Sequence, residues 1–93
     1  MKIKLFNRDG ANLWLEKQSS ISSNISEWKL NVDSKHKYCL EYMRIIGSNP
    51  IEIEAVDPSG GPFISLGDEF EDKYKIIKII NPTTFWISER NNN

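Results

Sequence analysis

The sequence predicts an all-β fold: a small antiparallel β-sandwich or barrel of seven or eight short strands. Two observations carry this. Short apolar runs with period-two alternation recur roughly every ten residues, the spacing of small sandwiches and barrels. The gaps between them hold turn residues, chiefly Gly, Pro, Asn, Asp and Ser. A third observation sets the scale. The 93 residues make one domain at most, 1–93, and a chain of this size buries only about two-thirds of its unfolded surface.

Each element follows from its residues. Ile3 and Leu5 alternate with Lys2, Lys4 and Phe6. Asn7-Arg8-Asp9-Gly10 supplies turn chemistry, with Gly10 free to take positive φ, and Leu13-Trp14-Leu15 returns as the second strand of a hairpin. Residues 18–26 are polar and Ser-rich and read as a loop, with Ile21 and Ile25 as anchors. Trp28, Leu30 and Val32 alternate with Lys29 and Asn31, a half-buried strand. Residues 38–46 read as strand in preference to a short helix, because Gly47-Ser48-Asn49-Pro50 ends them as a turn would. Residues 51–56 alternate and pair with that strand.

Asp57-Pro58-Ser59-Gly60-Gly61-Pro62 is the strongest loop signal in the chain. Phe63–Leu66 reads as a short strand, turned by Gly67-Asp68. Tyr74–Ile80 is apolar on both faces, so it reads as a central, bulged strand. Asn81-Pro82-Thr83-Thr84 is a turn, 85–88 the closing strand, and 90–93 a frayed tail. From Leu66 to Glu89 the rhythm resembles that of small SH3-like barrels: strand, Gly-Asp turn, acidic loop, long strand, tight turn, strand. The resemblance carries no functional residues.

Charge is distributed unevenly. The net charge is −1, so the whole chain exerts no bulk attraction on nucleic acid or anionic lipid. Residues 1–50 nevertheless carry eight basic and five acidic side chains. Residues 51–72 carry seven acids (Glu52, Glu54, Asp57, Asp68, Glu69, Glu71, Asp72) and no base, and 73–93 carry four bases and one acid. An acidic middle lies between basic ends.

Chemistry-bearing residues are few. His36 and Cys39 are the one nucleophile–base combination, and each reads more simply as a turn histidine and a packed thiol. One His and one Cys cannot build a structural zinc site without carboxylates. Asp68–Asp72 lacks the spaced ligands and the glycine of an EF-hand loop. The 57–62 loop offers a backbone nest, but no helix start or lysine follows it and its surroundings are acidic. No enzyme, metal or cofactor is implied. Lys35, His36, Lys37 and Arg44 beside Tyr38 and Tyr42 form a thin basic and aromatic footprint for single-stranded nucleic acid, which is disfavoured.

What remains is a binding surface. The aromatics Trp14, Trp28, Phe85 and Trp86 read as core, except that Phe85 and Ile87 facing inward would turn Trp86 outward as an interface anchor. The expected function is a non-enzymatic protein-binding module, such as a phage- or mobile-element-encoded inhibitor of a host protein. It would meet a partner with a basic surface through Asp57, Ser59, Asp68, Glu69, Glu71, Asp72 and Trp86. The alternative is a structural or assembly protein, such as a small virion component, that self-associates by an edge strand. A small-ligand or single-strand nucleic-acid binder ranks third. Thirteen Ile, nine Lys and nine Asn point to an AT-rich genome. The first residues lack the apolar stretch of a signal peptide, no run is long enough to span a membrane, and the single cysteine suits a reducing, cytoplasmic setting.

Overall fold

The computed structural model describes residues 1–33, 38–39, 42–56 and 64–90. Eight strands follow one another along the chain: β1 (Lys2–Leu5), β2 (Leu13–Ser20), β3 (Ile25–Val32), β4 (Met43–Ser48), β5 (Ile51–Ala55), β6 (Glu69–Phe70), β7 (Tyr74–Asn81) and β8 (Thr84–Glu89). Six form one curled antiparallel sheet in the order β1-β2-β3-β8-β7-β6, and β4-β5 form a second, two-stranded sheet. The fold is therefore nearly all-β, a half-barrel with a small sheet across its opening.

Backbone hydrogen bonds tie the small sheet to the large one. Phe6 N donates to Ile51 O at 3.1 Å and Ile53 N donates to Phe6 O at 2.8 Å, a parallel bridge at the β1 end. Near the β6 end, Glu71 N donates to the Ser48 carbonyl and Ile64 N to Met43 O at 2.9 Å. The first hairpin turns as its residues demand. Gly10 takes φ +73°, where a side chain would strain the backbone. Asn7 locks the turn, its Oδ1 accepting from Ala11 N at 3.0 Å and its Nδ2 donating to Ala11 O at 2.8 Å.

Strict alternation fills the interior. Ile3, Leu5, Leu13, Leu15, Trp28 and Leu30 from β1–β3 meet Met43, Ile51 and Ile53 from the small sheet and Phe70, Tyr74, Ile76, Phe85 and Ile87 from β6–β8. Trp28 sits edge-on to Tyr74, ring centroids 6.0 Å apart. The space left among Leu5, Leu15, Met43, Ile51, Phe70 and Phe85 is about 10 Å³, at the limit for one water. Among the described residues, the centre of the half-barrel is packed.

Three expectations need correction and a fourth is qualified. Residues 18–26 are not a loop: β2 runs to Ser20, β3 starts at Ile25, and a short turn joins them. The serines pair through their backbones on a solvated hairpin, so no apolar alternation announces them. Residues 38–46 divide, with Tyr42 N donating to Cys39 O in a turn before β4 begins at Met43. Ile64–Leu66 is not a strand, and Phe63 lies outside the described residues. Last, β7 is bulged and lies between β8 and β6, as a central strand does, but among the described residues the two-residue β6 pairs with it only at Tyr74 and Lys75, so its far isoleucines are exposed.

The segment after β3 is pinned by a polar contact. Tyr38 is 7% exposed and its hydroxyl donates to the Asp9 carboxylate in the first turn. Burial, then the hydrogen bond and charge of Asp9, push the Tyr38 hydroxyl up to about 12. The folded state thus holds this proton more tightly than the unfolded chain, whose tyrosine titrates near 10. The stabilisation is complete below about pH 10 and is lost as pH rises toward 12. Spectroscopic titration should show Tyr38 ionising late, and Asp9→Asn should bring it earlier. A wild-type profile unchanged by Asp9→Asn would refute the contact.

Candidate functional site

Folding gives several of the predicted acidic residues local partners. In the β6–β7 turn Glu71 and Asp72 both take left-handed backbone, φ 54° and 59°, a conformation that costs a non-glycine residue energy and turns the chain sharply. This puts Asp72 against the β4–β5 turn, where its Oδ2 accepts from Asn49 Nδ2 at 3.1 Å. Asp68 is spent locally, its Oδ2 accepting from Ser65 N at 2.9 Å. Glu69 stands opposite Lys75. Glu54 receives two hydrogen bonds from Arg44 across the small sheet, from Nη2 and, at 2.8 Å, from Nε. That pair removes Arg44 from the predicted basic footprint. Asp57 and Ser59, the 57–62 loop, and Lys35, His36 and Lys37 lie outside the described residues.

The C-terminal bases complete the mixing. A shallow groove of about 310 Å³ runs past Glu69, Asp72, Lys73, Lys75, Glu89 and Arg90. Carboxylates and cations are balanced in it. A hydrogen bond with Tyr74 holds the Lys73 ammonium above its ordinary range, and burial raises the Tyr74 hydroxyl. Among the described residues no group of three or more His, Cys, Asp or Glu is placed to hold a metal. Cys39 is half-buried, and its relation to His36 lies outside the described residues. No described helix is long and apolar enough to cross a membrane.

Trp86 faces away from the core, half-buried, as Phe85 and Ile87 on either side face in. It is not on an edge, because β8 lies between β3 and β7. Its Nε1 donates to Glu27 Oε1 at 3.1 Å, and Lys78 Nζ stands 4.7 Å from its ring centroid. These contacts fix the ring on the outer face of the sheet.

Two features escaped the sequence reading. Trp14, taken as core, also faces outward between the buried Leu13 and Leu15. Its neighbours along the strand carried the signal, since inward Leu13 and Leu15 require an outward residue between them. The other feature is the far half of β7. Beyond Ile76 no described strand pairs with its outer side. Ile77, Ile79 and Ile80 are 37%, 37% and 45% exposed. Backbone bonds between Ile76 and the Gly67-Asp68 turn bring Leu66, 61% exposed, to the same edge. Four of the large exposed apolar side chains therefore lie on β7 or in the turn beside it, with Glu69, Glu71 and Asp72 near the start of β7.

No protein-family model matches this chain, and neither does any curated protein sequence or any solved structure.

Proposed function

We propose that this domain is a non-enzymatic protein-binding module whose contact surface is the free border of β7. The observation that carries the reading is the exposure of Leu66, Ile77, Ile79 and Ile80 on and beside a strand edge without a described partner. Contiguous exposed apolar surface marks interaction sites. Glu69, Glu71 and Asp72 supply an acidic rim at one end, which suits a partner with basic residues beside an apolar patch. An inhibitor that works by covering a partner's surface needs no more chemistry than this.

The border fits a different protein better than a second copy. Two register shifts, at Ile76/Lys78 and Ile79/Asn81, break the regular ladder that strand addition needs. Symmetric pairing of two β7 strands would also bring Lys75 and Lys78 of both copies together, a like-charge contact. Docking by side chains avoids both problems.

Affinity capture with mass spectrometry identifies the partner, and two variants then test the surface. Ile77→Lys with Ile80→Lys should abolish capture while leaving the circular dichroism spectrum unchanged. Reversing charge at Asp68, Glu69, Glu71 and Asp72 should weaken capture about tenfold, as rim charges alter association more than core contacts do. Capture that survives the isoleucine variant refutes the reading. Light scattering showing a dimer that the same variant dissolves would reassign the border to self-assembly.

A further inference from the structure

The outer face of the large sheet carries a second, independent feature. Strand register sets its residues in rows. Lys4, Trp14 and Asn31 stand opposite one another on β1, β2 and β3. Lys2, Glu16, Lys29 and Thr84 form the next row. Glu27, Trp86 and Lys78 form a third across β3, β8 and β7. Phe6 continues the outward side of β1, 44% exposed. Each of these aromatic rings has an ammonium beside it: Lys2 at 5.2 Å from Trp14, Lys4 at 5.0 Å from Phe6, and Lys78 at 4.7 Å from Trp86.

Folding has sorted the charges. This face gathers Lys2, Lys4, Lys29, Lys75 and Lys78 against Glu16, Glu27 and, opposite Lys75, Glu69. Glu16 is partly engaged by Lys2 at 3.7 Å. Beside Trp14 lies a shallow pocket of about 310 Å³ lined by Lys2, Lys4, Asn12, Leu13 and Trp14, with no carboxylate. Trp14 Nε1 is a buried donor with no acceptor among the described residues. The face is rich in donors and positive charge, and its rings are spread over a sheet and not sunk in a chamber.

We infer that this face binds single-stranded nucleic acid, with bases on the rings of Phe6, Trp14 and Trp86 and phosphates on the lysines beside them. Planar rings interleaved with cations on a sheet form the platform on which unpaired bases stack. The ammonium groups over the rings occupy the place a base would take. Their flexible stems let them swing to a phosphate as the base arrives. The Trp86–Glu27 bond holds one ring ready. The pocket between Lys2 and Lys4 accepts a phosphate. This site is separate from the β7 border, and the two stand or fall independently.

The test is anisotropy of a labelled oligothymidylate of about 15 nucleotides, a typical span for such surfaces. With roughly two uncompensated lysines, log K should fall with log salt at a slope of about −1.4. Lys4→Glu with Lys29→Glu should weaken binding by at least tenfold. Trp86→Ala should weaken it about tenfold, and Trp86→Phe far less, because the loss is one of stacking. Reversing the acids at 68–72 should not weaken it. Absence of binding at low salt overturns the inference, as does binding indifferent to Trp86→Ala. Equal competition by polyglutamate would identify the face as a site for acidic protein and overturn the nucleic-acid assignment.

Discussion

Trp28→Ala should lower the melting temperature by roughly 15–30 °C. The side chain is 1% exposed at the middle of β3, which pairs with β2 on one side and β8 on the other. It also packs edge-on to Tyr74, which in turn lies 5.2 Å from Phe70. Removing it opens a cavity where both halves of the large sheet meet, and core Trp→Ala changes cost about 3–5 kcal/mol. A domain of this length has only about 5–14 kcal/mol in total, and each kilocalorie shifts the midpoint by about 4–8 °C. Thermal unfolding followed by far-ultraviolet dichroism measures it. A shift of a few degrees would mean that the Trp28 contacts do not organise the core.

Trp28 was legible because its neighbours alternate without ambiguity: Trp28 and Leu30 lie inside, Lys29 on the surface. Trp14 has the same setting, yet its size suggested burial, and only the register reveals it on the outer face. A large aromatic and an outward position conflict, and such conflicts often coincide with function. The border of β7 was illegible for a different reason. Tyr74–Ile80 is apolar on both sides, which normally signals a strand buried on both faces. Whether a neighbour covers it depends on where β6 ends, and a two-residue strand leaves little trace in a sequence. The charge count did not show which acids acquire cationic neighbours, because proximity along the chain is not proximity in space. Arg44 reaches Glu54, and Lys75 stands opposite Glu69, from segments the charge count had assigned to the basic ends.

Ile51→Asp should leave the chain unfolded at neutral pH, whereas Ile80→Asp should cost less than about 1 kcal/mol, as surface changes do. The two isoleucines are chemically identical and differ in position. Ile51 is 2% exposed and lines the closed centre of the half-barrel with Leu5, Met43 and Phe70. Its carbonyl also accepts the Phe6 N–H that joins the small sheet to β1. A carboxylate there has no cation within the apolar interior, and an unpaired buried charge costs at least about 3–5 kcal/mol, added to the lost packing. Desolvation raises the pKa of a buried acid above its unfolded value. The folded variant therefore binds its proton more tightly, and its stability should rise as pH falls from neutral toward about 4. Ile51→Val, losing one methylene, should cost about 1 kcal/mol and stay folded. Ile80, 45% exposed at the β7 border, gives up no such burial. If Ile80→Asp proved as damaging as Ile51→Asp, the β7 isoleucines would be structural and the border would not be free for a partner. Denaturant titration of the three variants beside the wild type separates a side chain that holds the fold from one the fold leaves exposed.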